Sequence, residues 1–163
     1  MLNLTLERIE RQIRNLPVEH VYVLGPDNEV LFHHTDNAYN RVHIPTHALP
    51  LLPQALVTHN HPGGRSFSPT DVLLARKMEL REIRVVTATR RFSIKPPISG
   101  WISVPLEEFD ALITREQGLL VAHVRDQIAR QRLTSPMADL LFHHRLWGRV
   151  AEFGVLRYRV DRW

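Results

Sequence analysis

The stretch Val57–Asp71, VTHNHPGGRSFSPTD, decides how this chain is read. It continues a short apolar run and places two histidines one residue apart where a strand ends. Successive side chains of a strand point to opposite faces, so His59 and His61 present two imidazoles to one point while Asn60 faces away. Pro62, Gly63 and Gly64 then turn the backbone and keep bulky side chains away from that point. Ser68 suits a helix N-cap and Pro69 the first helical position. Asp71 falls in the first turn, where exposed amides and the helix dipole favour a carboxylate, and it is aimed back toward the loop. Two histidines and one carboxylate, with a fourth position left to water, is the ligand count of a catalytic zinc site. A cap and a turn explain each part separately; they do not explain why three ligands fall within thirteen residues.

Composition bounds what such a site can be. With 163 residues and 44% hydrophobic content, the chain has the size of one ordinary domain with one core. It has no cysteine, which excludes disulfides, thiolate nucleophiles and cysteine-ligated zinc, so a metal must be held by His, Asp or Glu. Charges at Glu7, Arg8, Glu10 and Arg11 interrupt the apolar core that a signal peptide would need. The longest apolar stretch, ALPLLPQALV, is broken by two prolines and falls short of the ~20 residues that span a bilayer. A soluble, cytoplasmic protein is expected. The net charge of +4 lies entirely in residues 115–163, which carry 9 basic and 5 acidic residues against 12 of each before them. There the two signs are interleaved, as on solvated helix faces, so nucleic acid is not the expected partner.

Periodicity places a helix at Thr5–Asn15, a hairpin at Glu19–His34 around GPDN, and a short strand at RVHIP. It places a central strand at ALVTH, a helix from Pro69 to about Leu80, and a second hairpin formed by IRVVTAT and RFSIK. From Leu106 the chain reads as helix, interrupted near Gly118 and resumed with Ser135 as N-cap and Pro136 at the first helical position. His33 and His34, at the end of a hairpin strand, and His143 and His144, in a helix where adjacent side chains diverge, read as surface or packing residues. The three tryptophans read as core or interface anchors.

A hydrolytic site of this kind needs a carboxylate base that is near the metal without binding it. Glu19, directly before the first strand, fits that need. Glu29 is the competitor beside the hairpin turn, and Glu79 and Glu82 lie at the far end of the helix that Asp71 begins.

With these residues in place, the pattern of Glu19, then HNHPGG, then SPTD resembles the signature of the JAMM (MPN-plus) zinc metalloproteases. The words VTHNHPGG are most similar to the prokaryotic branch that holds RadC-type proteins and JAMM-like domains of phage assembly proteins. The resemblance covers about residues 17–87. It departs from the usual pattern in having six rather than seven residues between the second histidine and Ser68, and in running from Glu19 straight into strand. It implies an α/β fold in which a curved mixed β-sheet is flanked by helices, with a core over residues 1–104 and a helical C-terminal part, 105–163, packed on the same domain. It also implies one Zn2+ per chain on His59, His61 and Asp71, with Glu19 as the acid/base and Ser68 steadying the oxyanion.

On that reading the reaction is hydrolysis of a peptide or isopeptide bond, and the partner is a protein or peptide that includes ubiquitin-like modifiers with a Gly-Gly tail. Gly63 and Gly64 would give backbone room for such an extended tail. Two alternatives stay open on the sequence: a non-catalytic JAMM-like scaffold in phage assembly, and a RadC-type protein associated with nucleic acid.

Overall fold

The structure is a computed structural model that describes residues 4–163. The chain runs through α1 (Leu4–Ile13), β1 (Val21–Leu24), β2 (Val30–His34), β3 (Leu56–Asn60), α2 (Pro69–Lys77), β4 (Glu82–Val86) and β5 (Arg90–Lys95). It then forms α3 (Leu106–Ala129), α4 (Ser135–Ala151) and β6 (Arg157–Arg162). The strands make one six-stranded mixed sheet in the order β2-β1-β3-β4-β5-β6. Only β3 and β4 run parallel, joined by the crossover helix α2; the other neighbours are antiparallel. The fold is α/β, with helices on both faces of the sheet, as the sequence leads one to expect.

β3 sits inside the sheet with all five residues buried, which is why its apolar run does not alternate with polar residues as an exposed strand would. Its two faces nevertheless go to different layers. Leu56 packs with Leu24, Val86 and the α1 residues Leu6, Ile9 and Ile13. Val57 belongs to the larger core, where Val85, Phe92 and Ile94 meet Val72 of α2, Phe109 and Ile113 of α3, and Leu146 and Trp147 of α4. The α1 side also carries a buried charge network. Glu10 accepts hydrogen bonds from Arg84 (2.9 Å) and Arg91 (3.1 Å), and Glu82 accepts from Arg84 (2.8 Å) and Ser93 (2.6 Å). Each carboxylate buried on that face thus has cationic partners, the condition under which burial is tolerated.

Four expectations are corrected. The C-terminal part is not wholly helical, because Arg157–Arg162 adds β6 to the sheet edge, pairing along β5 from Arg90 opposite Arg162 to Lys95 opposite Arg157. α3 passes through Gly118 without a break; that position is exposed, and one helical glycine costs only about 1 kcal/mol relative to alanine. The α4 N-cap is Thr134, whose hydroxyl accepts from the Met137 amide, and not Ser135. RVHIP is no strand: β2 is the sheet edge there, and His43 instead donates its amide to Asp36 Oδ2 at 2.8 Å. Among the described residues no helix is long and apolar enough to cross a membrane.

Asn60 ends β3 on the α1 side. Its Oδ1 accepts from the His20 amide at 2.7 Å, and its Nδ2 donates to the carbonyls of Val18 (3.0 Å) and Leu16 (3.4 Å). The side chain is fully buried, so removing it leaves backbone polar groups without partners. Asn60→Ala is expected to lower unfolding stability by about 2–4 kcal/mol, measured by urea denaturation. A loss below about 0.5 kcal/mol would mean that water replaces these bonds freely.

Candidate metal centre

The candidate ligands are His59 in β3, His61 in the loop that follows and Asp71 in the first turn of α2, and three local features aim them. The alternation of β3 places His59 on the face opposite Asn60, and His61 follows on the same side as the chain leaves the strand. The turn closes when the Gly64 amide donates to His61 O at 3.0 Å, with Gly64 at φ +80, a conformation glycine adopts without strain. Ser68 then caps α2. Its amide and its hydroxyl each donate to Asp71 Oδ2 at 2.7 Å, and the Asp71 amide returns a bond to Ser68 Oγ at 3.3 Å.

These devices bring His59, His61 and Asp71 together, with ligand atoms all within 4.8 Å of one another, so the group could hold a metal ion. His59 Nε2 and His61 Nε2 are 3.0 Å apart, and Asp71 Oδ1 is 3.7 Å from His59 Nε2. Two ligands of a tetrahedral zinc are about 3.3 Å apart, so the set needs only small adjustments to close on a cation. Each partner is also oriented from behind. His61 Nδ1 lies 3.1 Å from the Arg65 carbonyl, which fixes its proton there and leaves Nε2 as a lone pair. The cap holds Asp71 by Oδ2, leaving Oδ1 turned toward His59.

Glu19 comes from a different part of the chain. It precedes β1, whose Val21 pairs with His59, and its Oε1 lies 4.0 Å from His61 Nε2 without joining the mutually close set. The backbone of Glu19 is fastened at both ends, with its amide donating to Ala38 O at 2.8 Å and its carbonyl accepting from Thr35 Oγ1 at 2.8 Å. The competitor Glu29 is turned back onto its own hairpin, where it accepts from the Asp27 amide at 3.0 Å.

The electrostatics follow from packing two imidazoles and two carboxylates into little water. Burial pushes the Glu19 carboxyl up to about 7, with Asp71 adding to the rise and His59 opposing it. Burial and the neighbouring His59 push His61 down to about 4, so this imidazole is neutral and ready to ligate at neutral pH. His59 is disfavoured by burial as a cation, but the Asp71 carboxylate outweighs this and holds its pKa above the ordinary histidine value. Asp71 moves the other way: burial opposes its ionisation, and the two histidines with the Ser68 hydroxyl hold it well below the usual carboxylate range.

The group opens into a cleft of about 580 Å³ lined by Glu19, His61, Ser66, Ser68 and Asp71, with Tyr39 and Arg41 from the loop after β2 and His143 from α4 on its walls. Gly63 borders this cleft and also a second cavity of about 270 Å³, on which Gly64, Arg90, Leu140 and His144 lie. Ser66, Tyr39, His143 and His144 carried no signal in the sequence. They reach the site through tertiary packing, and the only hint was that two adjacent histidines on a helix must face two directions.

No protein-family model, curated protein or solved structure matches the chain.

Protein supplied with zinc is expected to hold close to one ion per chain by elemental analysis, and His59→Ala or Asp71→Ala to hold less than a tenth of that. Retention by both variants would place the ion elsewhere. A second expectation concerns the metal-free protein. Glu19 titrates near 7 when folded and near 4.5 when unfolded, so the unfolded chain releases this proton first as pH rises, and stability falls across that window. Glu19→Gln lacks this loss. In chelator-treated samples its melting temperature should gain on the parent from pH 4.5 to 7 and level off above; a constant difference would contradict the raised pKa.

Proposed function

We propose that this chain is a zinc-dependent peptidase or isopeptidase of the JAMM type. The observation that carries the reading is Glu19: a buried carboxylate 4.0 Å from a ligand histidine, outside the ligand set and facing a solvent-open cleft. A purely structural metal site needs no such group, whereas a hydrolytic one needs a base poised near neutrality. Two histidine nitrogens and one carboxylate, without cysteine, suit zinc with a position left open. The resemblance of residues 19–71 to the JAMM signature supports the same reading.

Zinc held there would polarise the substrate carbonyl and lower the pKa of a water to ~7. The rest falls to the protein's own residues. Glu19 takes a proton from the attacking water and returns it to the leaving amine, a role open to a carboxylate held beside the candidate ligands without joining them. Asp71 holds one histidine partner and is itself held by Ser68. That differs from the role the resemblance gives Ser68, since its proton is engaged by Asp71 and is not free for an oxyanion. The exposed Gly63 leaves the floor of the cleft open between its two walls, room suited to an extended, small-residue segment such as a Gly-Gly tail.

Glu19→Gln keeps the shape but cannot accept the proton. Turnover of a Gly-Gly-linked isopeptide or peptide substrate is expected to fall at least ~100-fold, with zinc content unchanged. Loss of metal in that variant would make Glu19 a ligand. If parent and variant both hold zinc and neither cleaves any such substrate, the scaffold reading replaces this one.

A further inference from the structure

Ser66 shares the lining of the cleft with the hydroxyls of Ser68, Thr70 and Tyr39, and it is built into a relay that Ser68 lacks. Its residue is 1% exposed yet lines the cleft. Ser66 Oγ is 3.0 Å from the Tyr158 hydroxyl of β6, and that oxygen is 2.9 Å from His144 Nδ1 of α4. His144 lines the second cavity, on the other side of the Gly63–Gly64 turn. Three hydrogen-bonding side chains from a loop, a strand and a helix therefore run in series from one cavity to the other.

A phenol has one proton, and this makes the series directional. Burial holds the Tyr158 pKa far above neutrality, so the hydroxyl is always protonated; it donates to one neighbour and accepts from the other. If it donates to His144 Nδ1, Ser66 must donate back to Tyr158 and offers the cleft only lone pairs. If His144 Nδ1–H donates to Tyr158, then Tyr158 donates to Ser66, and the Ser66 proton is released to the cleft. Burial, together with Arg90 of β5 and the neighbouring Arg145, keeps His144 below the ordinary histidine value, with the Phe92 ring 6.0 Å away on the β5 side. The imidazole is then neutral, and its tautomer selects between the two arrangements.

An oxyanion developing in the cleft needs a hydroxyl or amide donor, and the Ser68 proton is held by Asp71. We propose that Ser66 is that donor, and that Tyr158 and His144 are positioning residues whose hydrogen bonds turn its proton into the cleft. The oxyanion in this statement rests on the hydrolase reading; the donor itself does not.

The test uses the zinc-loaded chain with acetohydroxamate, a small chelator whose oxyanion occupies the open metal position, and follows zinc content and melting temperature in each variant. Ser66→Ala and Tyr158→Phe are expected to weaken acetohydroxamate about 5–10-fold at unchanged zinc content, the scale of one hydrogen bond. His144→Asn, which can place an amide N–H where Nδ1–H stood, should bind it like the parent, and His144→Leu should behave like Tyr158→Phe. With a Gly-Gly-linked substrate, Ser66→Ala should lower kcat by about 100-fold and leave KM unchanged. If the affinity pattern holds but no variant or parent hydrolyses anything, the hydrolase reading fails and the donor assignment stands. If the parent cleaves in a Glu19-dependent way while Ser66→Ala and Tyr158→Phe match it in affinity and kcat, the assignment is overturned and the hydrolase reading stands. A zinc-loaded parent that does not bind acetohydroxamate also overturns the assignment.

Discussion

The histidines that converge on the cleft flank a residue that points the other way, and the hydrogen bonds of that residue, Asn60, decide where Glu19 stands. Glu19 belongs to no regular element: it lies in the segment between α1 and β1, which a free chain would sample widely. Asn60 removes that freedom by bonding to the backbone at Leu16, Val18 and His20, one residue either side of Glu19 and a turn before it. Because a strand alternates, Asn60, which anchors the Glu19 segment, and the two histidines are neighbours in sequence on opposite faces. Any displacement of the end of β3 therefore carries Glu19 and the histidines together, which preserves the 4.0 Å separation between Glu19 and His61 better than two independent supports would.

The same compactness makes the metal-free site electrostatically unfavourable. Two carboxylates and two imidazoles share one poorly solvated corner, and the fold answers by keeping a proton on Glu19 near neutrality and by charging His59 against Asp71. A divalent cation would relieve both tensions, since it attracts both carboxylates and favours neutral imidazoles. The capping box matters here because it divides the labour of one carboxylate. Oδ2 satisfies the Ser68 amide and hydroxyl at the helix start, so Asp71 is oriented whether or not an ion is present. Such a site is preformed in geometry and incomplete in charge.

How much of this could be read from the sequence depended on whether the signal was local. His59, His61, Ser68 and Asp71 lie within one loop whose geometry is set by strand alternation, a glycine turn and a cap, so their convergence followed from neighbouring residues. β6 was missed for the opposite reason. RYRVDR alternates Tyr158 and Val160 with charged residues, the mark of a half-buried edge strand, but its four charges and its position after two helices place it in the expected helical C-terminal part. Ser66 lies 92 positions before Tyr158, and nothing short of the packed α4 and β6 brings it to Tyr158 and His144. Adjacent helical side chains diverge, and here that divergence puts His143 and His144 each on a different cavity.

The C-terminal layer is consequently more than a cover for the sheet. Trp147 donates its indole N–H to Phe67 O at 2.8 Å, Tyr158 reaches Ser66, and Arg65 pairs with Asp139, so three successive residues of the loop between β3 and α2 are each tied to α4 or β6. These ties hold the loop between His61 and the Ser68 cap. In this fold Ser68 caps the helix at the edge of the cleft, and Ser66, two residues earlier, lines the same cleft. The turn from His61 to Asp71 is thus shaped on one side by β3 and on the other by residues of α4 and β6 that lie far from it in sequence.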